Sequence, residues 1–527
     1  MSENDVSSAR CREIALALTK WASVTGSAGE REFPHRLAEY MHQTAYFRDH
    51  AESVSFEPIG DGRHNLFALV KGKGCETVIL AGHFDTVPID DYGDLTSLAC
   101  DPQPLLAASI ERLRRTGENP KALADFESGN YLPGRGLLDM KAGLAAGITA
   151  LEAFATDPDR RGNILFVATP DEEDRSAGMR VAAQRLPQYL KDNGLDVRLV
   201  INLDSIADDG DGSFGASIAF GSIGKLLLSA LVIGREAHAC YPFSGLGAAY
   251  LAGELLTEFE CAPALGESTG IEIAAPPTAL AAKDLKSGYN VTTPARAWIY
   301  WNTLQHRRGP DDVMAIARDM ARTAMDRAVV CLDKRASAIS PPQALRDDHV
   351  DILTYAEVIE IACRNEQTFA DRLAKAASEL DPALDLPSRS RVLTEKVWTA
   401  SGLSGPAVIL GFGSIPYPAV SMRDKAMRAK IADAARLAYA NIGSLEYFPG
   451  ISDMSFLGQP AGDFAAARAQ TPIWGSSFTL DESPSFPVIN IGPWGRDYHH
   501  WLERLHAPYA FEVLPKLVLH VTKAALS

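Results

Sequence analysis

No stretch of the chain holds about 18 consecutive apolar residues, the length a membrane-spanning helix needs, so a transmembrane helix is not expected. Excess positive charge is missing as well: 51 Lys and Arg stand against 67 Asp and Glu, for a net charge of −16. That balance argues against nucleic acid or an anionic membrane as the main partner, and bound cations can neutralise part of the acid. Cysteine is scarce. The 7 residues Cys11, Cys75, Cys100, Cys240, Cys261, Cys331 and Cys363 are odd in number and scattered, with no Cys-x-x-Cys. This excludes a disulfide framework and a zinc ribbon, and suggests free thiols in a reducing cytoplasm. The opening Met1-Ser2-Glu3-Asn4-Asp5 lacks the basic-then-apolar pattern of a secretory signal. Internal repeats and low-complexity tracts are also absent.

The composition that remains, 46% hydrophobic and 22% charged, is ordinary for a globular protein. At 527 residues the chain is too long for one core, so two or more domains are expected. Its most informative stretch is Ala168-Thr169-Pro170-Asp171-Glu172-Glu173-Asp174. It follows Ile164-Leu165-Phe166-Val167, which reads as a buried strand of a parallel sheet. Open α/β sheets place their ligand sites at the carboxyl ends of strands. Adjacent carboxylates there repel one another. A divalent metal relieves this by holding one as a ligand while the next stays free for proton transfer. An isolated acidic loop is simply solvated, so the metal reading depends on partner ligands at other strand ends.

In chain order, the pattern predicts helices over 8–22 and 32–43, then strands over 65–70 and 77–81. The second strand enters Gly82-His83-Phe84-Asp85-Thr86-Val87-Pro88. His83 and Asp85 lie two apart on extended backbone and face the same way, which suits a metal-binding imidazole and a carboxylate that orients it. A long polar insertion, 89–131, follows, with a short basic helix around 110–115. Gly134-Arg135-Gly136-Leu137-Leu138-Asp139 then leads into a helix ending near 154. Asp139 serves either as a helix N-cap or as a carboxylate bridging two metals. After a helix over 177–190, a buried strand over 197–203 ends in Asp204-Ser205, the third strand end with an acid.

Asp208-Asp209-Gly210-Asp211-Gly212 reads as a turn-rich acidic linker and a domain boundary. Strands over 216–223 and 226–234, a helix over 246–258, strands over 278–284 and 295–304, and a helix over 310–332 make a split β-α-β module that Ser340-Pro341-Pro342 ends. Helices follow over 354–364, 368–380 and 390–399, then a strand over 407–412 and a helix over 426–440. Gly450-Ile451-Ser452-Asp453-Met454 is a loop with an acid. The last buried strand, 486–491, enters Gly492-Pro493-Trp494-Gly495-Arg496-Asp497-Tyr498-His499-His500, with Glu503 one helical turn beyond His499. A helix over 513–524 closes the chain. His83, Asp139, Glu173, Asp204 and His499 thus form a candidate set. Two histidines and three carboxylates, one bridging, can hold two zinc ions about 3.5–4 Å apart.

These motifs, in this order, resemble the co-catalytic zinc exopeptidases and deacylases, which include acetylornithine deacetylase, succinyl-diaminopimelate desuccinylase, glutamate carboxypeptidase and several dipeptidases. The resemblance rests on Gly82-His83-Phe84-Asp85-Thr86-Val87, Gly136-x-x-Asp139-x-Lys141, Asp171-Glu172-Glu173, Asp204, Gly492-Pro493 and His499-x-x-x-Glu503, and it covers nearly the whole chain. It implies that His83 and Asp204 bind one ion, that Glu173 and His499 bind the other, and that Asp139 bridges them. It further implies Glu172 as general base and Asp85 as the residue orienting His83. The β-α-β module resembles the family's lid, which often makes a dimer contact. Within it, Gly234-Arg235-Glu236-Ala237-His238 resembles the motif whose histidine stabilises the oxyanion, and Asn290-Val291-Thr292-Thr293-Pro294 the motif whose asparagine contacts substrate. The insertion after Val87 and the helical block 354–399 are longer than in the family pattern. The last lid strand runs on from Asn302 in place of Asp-x-Arg, with Arg307 and Arg308 further along, so no arginine is assigned to a substrate carboxylate. Phrases such as Gly-Arg-Gly-Leu-Leu-Asp-Met-Lys look most like the arginine-utilisation branch.

The expected fold is α/β: a zinc-exopeptidase-like catalytic domain with a mostly parallel central sheet, split into 1–210 and 341–527. An inserted ferredoxin-like lid, 211–340, lies between. The expected activity is hydrolysis of an amide or peptide bond in an N-acyl amino acid or short peptide, arginine-related, by a zinc-dependent cytoplasmic enzyme. Two divalent ions are required, with cobalt or manganese as alternatives to zinc. The partners are a small-molecule substrate and a second copy through the lid, with no nucleic acid and no membrane. Two alternatives stand beside this reading. One is a dinuclear hydrolase of a carbamoyl or amidino amide, the other a non-catalytic small-molecule binder. Glu172 counts against the binder, which has no use for a base beside a metal.

Overall fold

The computed structural model describes residues 7–269, 272–339, 341, 343, 349–460, 464–476, 478 and 484–527. The apolar run at 164–167 is the middle of the strand Arg161–Thr169, buried on both faces inside an eight-stranded sheet. Arg161–Thr169, Lys73–His83, Asp196–Asn202 and Val488–Asn490 lie side by side in that sheet and all run parallel. Val54–Pro58 and His64–Val70 flank them antiparallel on one side; Ser217–Ala219 and Gly443–Leu445 complete the other. His83 is level with Thr169, Ala81 with Asn202, and Asn202 with Asn490. Four parallel strands therefore end on one rim.

The helix Ala142–Thr156 is apolar nearly all round because it packs between that sheet and the helices Ser8–Lys20 and Leu514–Leu526. Its approach to the rim requires Gly143, where a Cβ would lie 2.0 Å from the Leu203 carbonyl oxygen. Gly492 is demanded in the same way: a Cβ there would meet the Asp204 carbonyl oxygen at 1.9 Å.

The chain divides into two compact units. The first comprises Met1–Ser222, Val420–Gln459 and Glu482–Ser527, the second Ile223–Ala419 and Pro460–Asp481. The second is built on a five-stranded sheet in the order Thr278–Asp284, Arg296–Gln305, Gly224–Ile233, Ala407–Phe412, Asp351–Thr354. Its first four strands run antiparallel and, with the helices Ala248–Phe259 and Pro310–Ala338, complete a β-α-β-β-α-β module.

This differs from the predicted lid in two places. The strand expected over 216–223 does not open the module; Ser217–Ala219 pairs in the large sheet of unit 1. The module also does not close near 340, where Ser340 and Pro342 lie outside the described residues. Its fourth strand, Ala407–Phe412, pairs with Gly224–Ile233, so the chain through Ala419, including the helices Tyr355–Asn365, Phe369–Ser378 and Leu386–Ser401, belongs to unit 2. The insertion is more ordered than expected. It forms the helices Pro102–Thr116 and Pro120–Glu127, each opened by a proline at its first position, and the strand Tyr131–Pro133. Among the described residues no helix is long and apolar enough to cross a membrane.

Candidate metal centre

Each of the four level strand ends delivers part of one cluster, built from unit 1 alone. Lys73–His83 ends at His83, with Asp85 two residues on. Arg161–Thr169 leads through Pro170 into Asp171, Glu172 and Glu173. Asp196–Asn202 leads to Asp204. Val488–Asn490 leads to a hairpin, Trp494–Arg496 paired with Arg504–His506, whose loop carries His499. Asp139 comes from the glycine-rich turn before Ala142–Thr156, next to a cis peptide bond to Met140. Its side chain caps no helix there, so of the two roles weighed for Asp139 the N-cap is excluded.

Two groups of three side chains offer donor atoms that all lie within 4.8 Å of one another: His83, Asp139 and Asp204, and Asp139, Glu173 and His499. Asp139 belongs to both and divides its oxygens between them. Oδ1 lies 3.2 Å from His83 Nε2, and Oδ2 lies 3.2 Å from His499 Nε2. Glu173 Oε2 is 3.0 Å from His499 Nε2, and Asp204 Oδ1 is 3.9 Å from His83 Nε2. Ligand bonds of about 2.0 Å in tetrahedral geometry place donors about 3.3 Å apart, so either set could hold an ion such as zinc.

Asp85 ties the rim together. Its carboxylate accepts hydrogen bonds from the backbone N–H of Glu172 (3.1 Å) and Glu173 (3.3 Å) and from the Thr25 hydroxyl (2.8 Å). His83 Nδ1 lies 3.1 Å from the Asp85 carbonyl and 3.6 Å from its carboxylate, so the nearer acceptor is the backbone. Glu172 stands beside both groups without belonging to either, its Oε2 3.8 Å from His83 Nε2.

Burial pushes up the carboxyls of Glu172, Glu173 and Asp204, and neighbouring acids push them further. Burial also opposes a charge on Asp139, but hydrogen bonds to His499 and His83 outweigh it and hold this carboxyl well below the usual range. His83 and His499 are likewise buried against charge, yet their carboxylate partners raise both, His499 to about 10. So much buried like charge calls for cations.

Several residues at the site carried no recognised role in the sequence. Asp453, 2% exposed, accepts from the Thr169 hydroxyl at 3.0 Å, and its other oxygen has no hydrogen-bond partner among the described residues. Burial raises its carboxyl to about 6. Arg63 Nη1 donates to Glu30 at 2.9 Å and to Asp171 at 2.6 Å, all three groups buried. Asp171 has a φ of +71°, and this left-handed residue turns the chain so that Glu172 and Glu173 both reach the rim. Glu503 does not follow His499 on a helix; Asp497 to Leu502 form a hairpin loop. Its carboxylate instead accepts from Arg135 (2.8 Å) and from the N–H of Gly136 (3.0 Å) and Leu138 (3.3 Å), bracing the Asp139 turn. Asp171, Glu503 and the acid of the 450–454 loop stood out in the sequence as residues, but spacing carried no sign of the partners they meet.

His238 and Asn290 belong to unit 2. There His238 Nδ1 accepts from the Cys240 N–H at 3.1 Å, and the Asn290 carboxamide oxygen accepts from Lys286 Nζ at 2.5 Å and the Thr292 hydroxyl at 2.7 Å.

Two groups of carboxylates and histidine that share Asp139 meet at this rim, and the chain belongs to the peptidase family M20/M25/M40, whose model matches residues 79–473. It is a metal-dependent hydrolase of amide or peptide bonds. The uncharacterized protein YqjN of Bacillus subtilis (strain 168) is 32% identical over 97% of this chain and 96% of its own. Protein RocB of the same organism is 27% identical over 97% and 94%. A tripeptidase from Staphylococcus aureus shares the fold, with a TM-score of 0.54 at 16% identity over 99% of this chain and all of its own.

Proposed function

We propose that this chain is a dinuclear hydrolase of a small N-acyl amino acid or short peptide, arginine-related, with His83, Asp139 and Asp204 holding one ion and Asp139, Glu173 and His499 the other. The observation that carries this reading is the division of the two Asp139 oxygens between two complete donor sets. Divalent ions bound there, zinc foremost and cobalt or manganese as alternatives, supply the charge that acidifies a water and polarises a carbonyl. Glu172 is the general base: outside both donor sets yet beside them, it takes the proton of the attacking water and delivers it to the leaving amine. Burial, which favours its protonated form, suits a group that must hold that proton between the two transfers. Asp85 fixes His83 and, through two backbone N–H groups, the Glu172–Glu173 turn.

His238 is proposed as an oxyanion donor and Asn290 as a substrate contact, on the resemblance of their motifs. A homodimer through the lid and a cytoplasmic setting rest on the same resemblance and on the free cysteines. Zinc- and cobalt-loaded protein screened against N-acyl amino acids and dipeptides, with arginine-containing compounds among them, tests the substrate class. Turnover only of carbamoyl or amidino amides replaces it with that class. Metal binding without turnover of either panel returns the reading to a small-molecule binder.

A further inference from the structure

The loop that carries His499 has little to hold it in place by itself. It joins two short strands through only two residue pairs, Gly495 with Leu505 and Arg496 with Arg504. Two of its non-glycine residues, Asp497 (φ +52°) and His499 (φ +63°), take the left-handed conformation, which costs free energy and persists only when the surroundings impose it.

The first strand also pairs with Ile206–Ala207, and the side-chain struts on the loop come from the 89–131 insertion. Arg496 and Arg504 stand at the two feet of the loop, 8% and 1% exposed. Both grip one carboxylate, that of Asp125, from the insertion helix Pro120–Glu127. Arg496 Nη1 donates to Oδ1 at 2.7 Å and Oδ2 at 2.6 Å; Arg504 Nε donates to Oδ2 at 2.8 Å. The remaining guanidinium hydrogens run outward and inward. Arg496 reaches the carbonyls of Asp208 (3.2 Å) and Gly210 (2.5 Å), while Arg504 pairs with Asp497 and the Leu502 carbonyl inside the loop. A second strut comes from the other insertion helix: Arg112 lies over the Trp501 ring at 4.2 Å. A third links Asp91 to Arg135 at 2.9 Å, and Arg135 to Glu503 at 2.8 Å. The insertion thus meets the loop at both feet and along its span.

We infer that the insertion is a brace for the His499 loop, with Asp125 as its positioning residue, and that it sets the affinity of the Asp139, Glu173 and His499 ion site. This rests on the reading of His499 as a ligand. Ligand-orienting partners outside a metal's own ligands typically change its affinity by about 10–100-fold. The His83, Asp139 and Asp204 set touches neither arginine and keeps its affinity.

The test uses the zinc-loaded full chain, dialysed against a graded series of chelator, with zinc retained per chain as the readout. Asp125→Asn keeps the shape of the side chain and removes its charge. One of the two ions should leave at a free-zinc level at least about 10-fold higher than in the wild type, the other at the wild-type level. His499→Ala should release the same ion, and the double variant should hold no less zinc than His499→Ala alone, because both act on one site. Retention of both ions by Asp125→Asn at wild-type levels, with one lost by His499→Ala, overturns the brace. Equal loosening of both ions overturns it too, since that is a general loss of structure. Retention of both ions by His499→Ala overturns the ligand reading and the brace with it. If Asp125→Asn gives no cooperative melt, Asp125→Leu with Arg496→Met removes the charges together, and the same criteria apply to that variant.

Discussion

Glu172 and Glu173 are neighbours, and on extended backbone their side chains would point apart. The left-handed Asp171 before them removes that difficulty. Because Glu173 is 3.0 Å from His499 and Glu172 belongs to neither donor set, the two should respond differently to the same change. Glu172→Gln keeps shape but cannot accept a proton; both ions should remain while kcat falls by about 10²–10⁴-fold. Glu173→Gln should empty one ion site. Metal analysis beside steady-state kinetics decides it, and the opposite pattern reverses the roles. Arg63 is the residue that holds Asp171, with Glu30 as its second partner. Arg63→Met leaves two buried carboxylates unpaired, a change that typically costs about 3–5 kcal/mol, readable as a lower denaturant midpoint. At this scale the acids themselves were legible in the sequence, since they follow apolar runs in a recognisable order. Arg63 was not, because nothing local distinguishes a buried arginine from a surface one.

At the scale of elements, the hairpin carrying His499 shows how packing sets titration. His506 closes its second strand, stacked on Trp494 with ring centroids 4.3 Å apart. Burial first, and the nearby Arg496 charge second, push its imidazole down to about 4. The folded state therefore favours the neutral ring. Its contribution is complete above the unfolded value near 6.5 and is lost as the pH falls through about 4. His506→Phe keeps the stack and removes the proton. The difference in unfolding free energy between pH 7 and pH 4.5, read from denaturant titrations, should narrow by about 1–2 kcal/mol in the variant. An unchanged gap would mean that other groups carry the acid limb. The insertion shows the opposite limit of sequence reading. Its helix Pro102–Thr116 buries Leu105, Ser109 and Leu113, a stripe with a serine in the middle, so only the basic end at 110–115 stood out.

For the whole molecule, the crowded rim of buried acids predicts a stability that depends on bound cations. Chelation should lower the melting temperature and added zinc restore it. An ion at 100 times its Kd stabilises the fold by about 2.7 kcal/mol. A melting curve indifferent to chelator, or a metal content of at most one ion after zinc is returned, counts against Asp139 as a bridge. The proposed oxyanion role of His238 predicts that His238→Ala lowers turnover about 10²–10³-fold with metal content unchanged; full activity sinks that role.

The sequence by itself determined the α/β class, the strands that end in acids, and the order of His83, Asp139, Glu173, Asp204 and His499. Periodicity and motif order are short-range properties of a chain, so they survive without coordinates. Tertiary structure alone decided what depends on residues far apart. Ala407–Phe412 became the fourth strand of the second unit by pairing with Gly224–Ile233. Asp453 reached Thr169 across 284 residues, and Asp125 reached Arg496 across 371. Such partners are chosen by which strand ends and helices come level in space, and a carboxylate in a polar insertion carries no mark of the guanidinium it will meet.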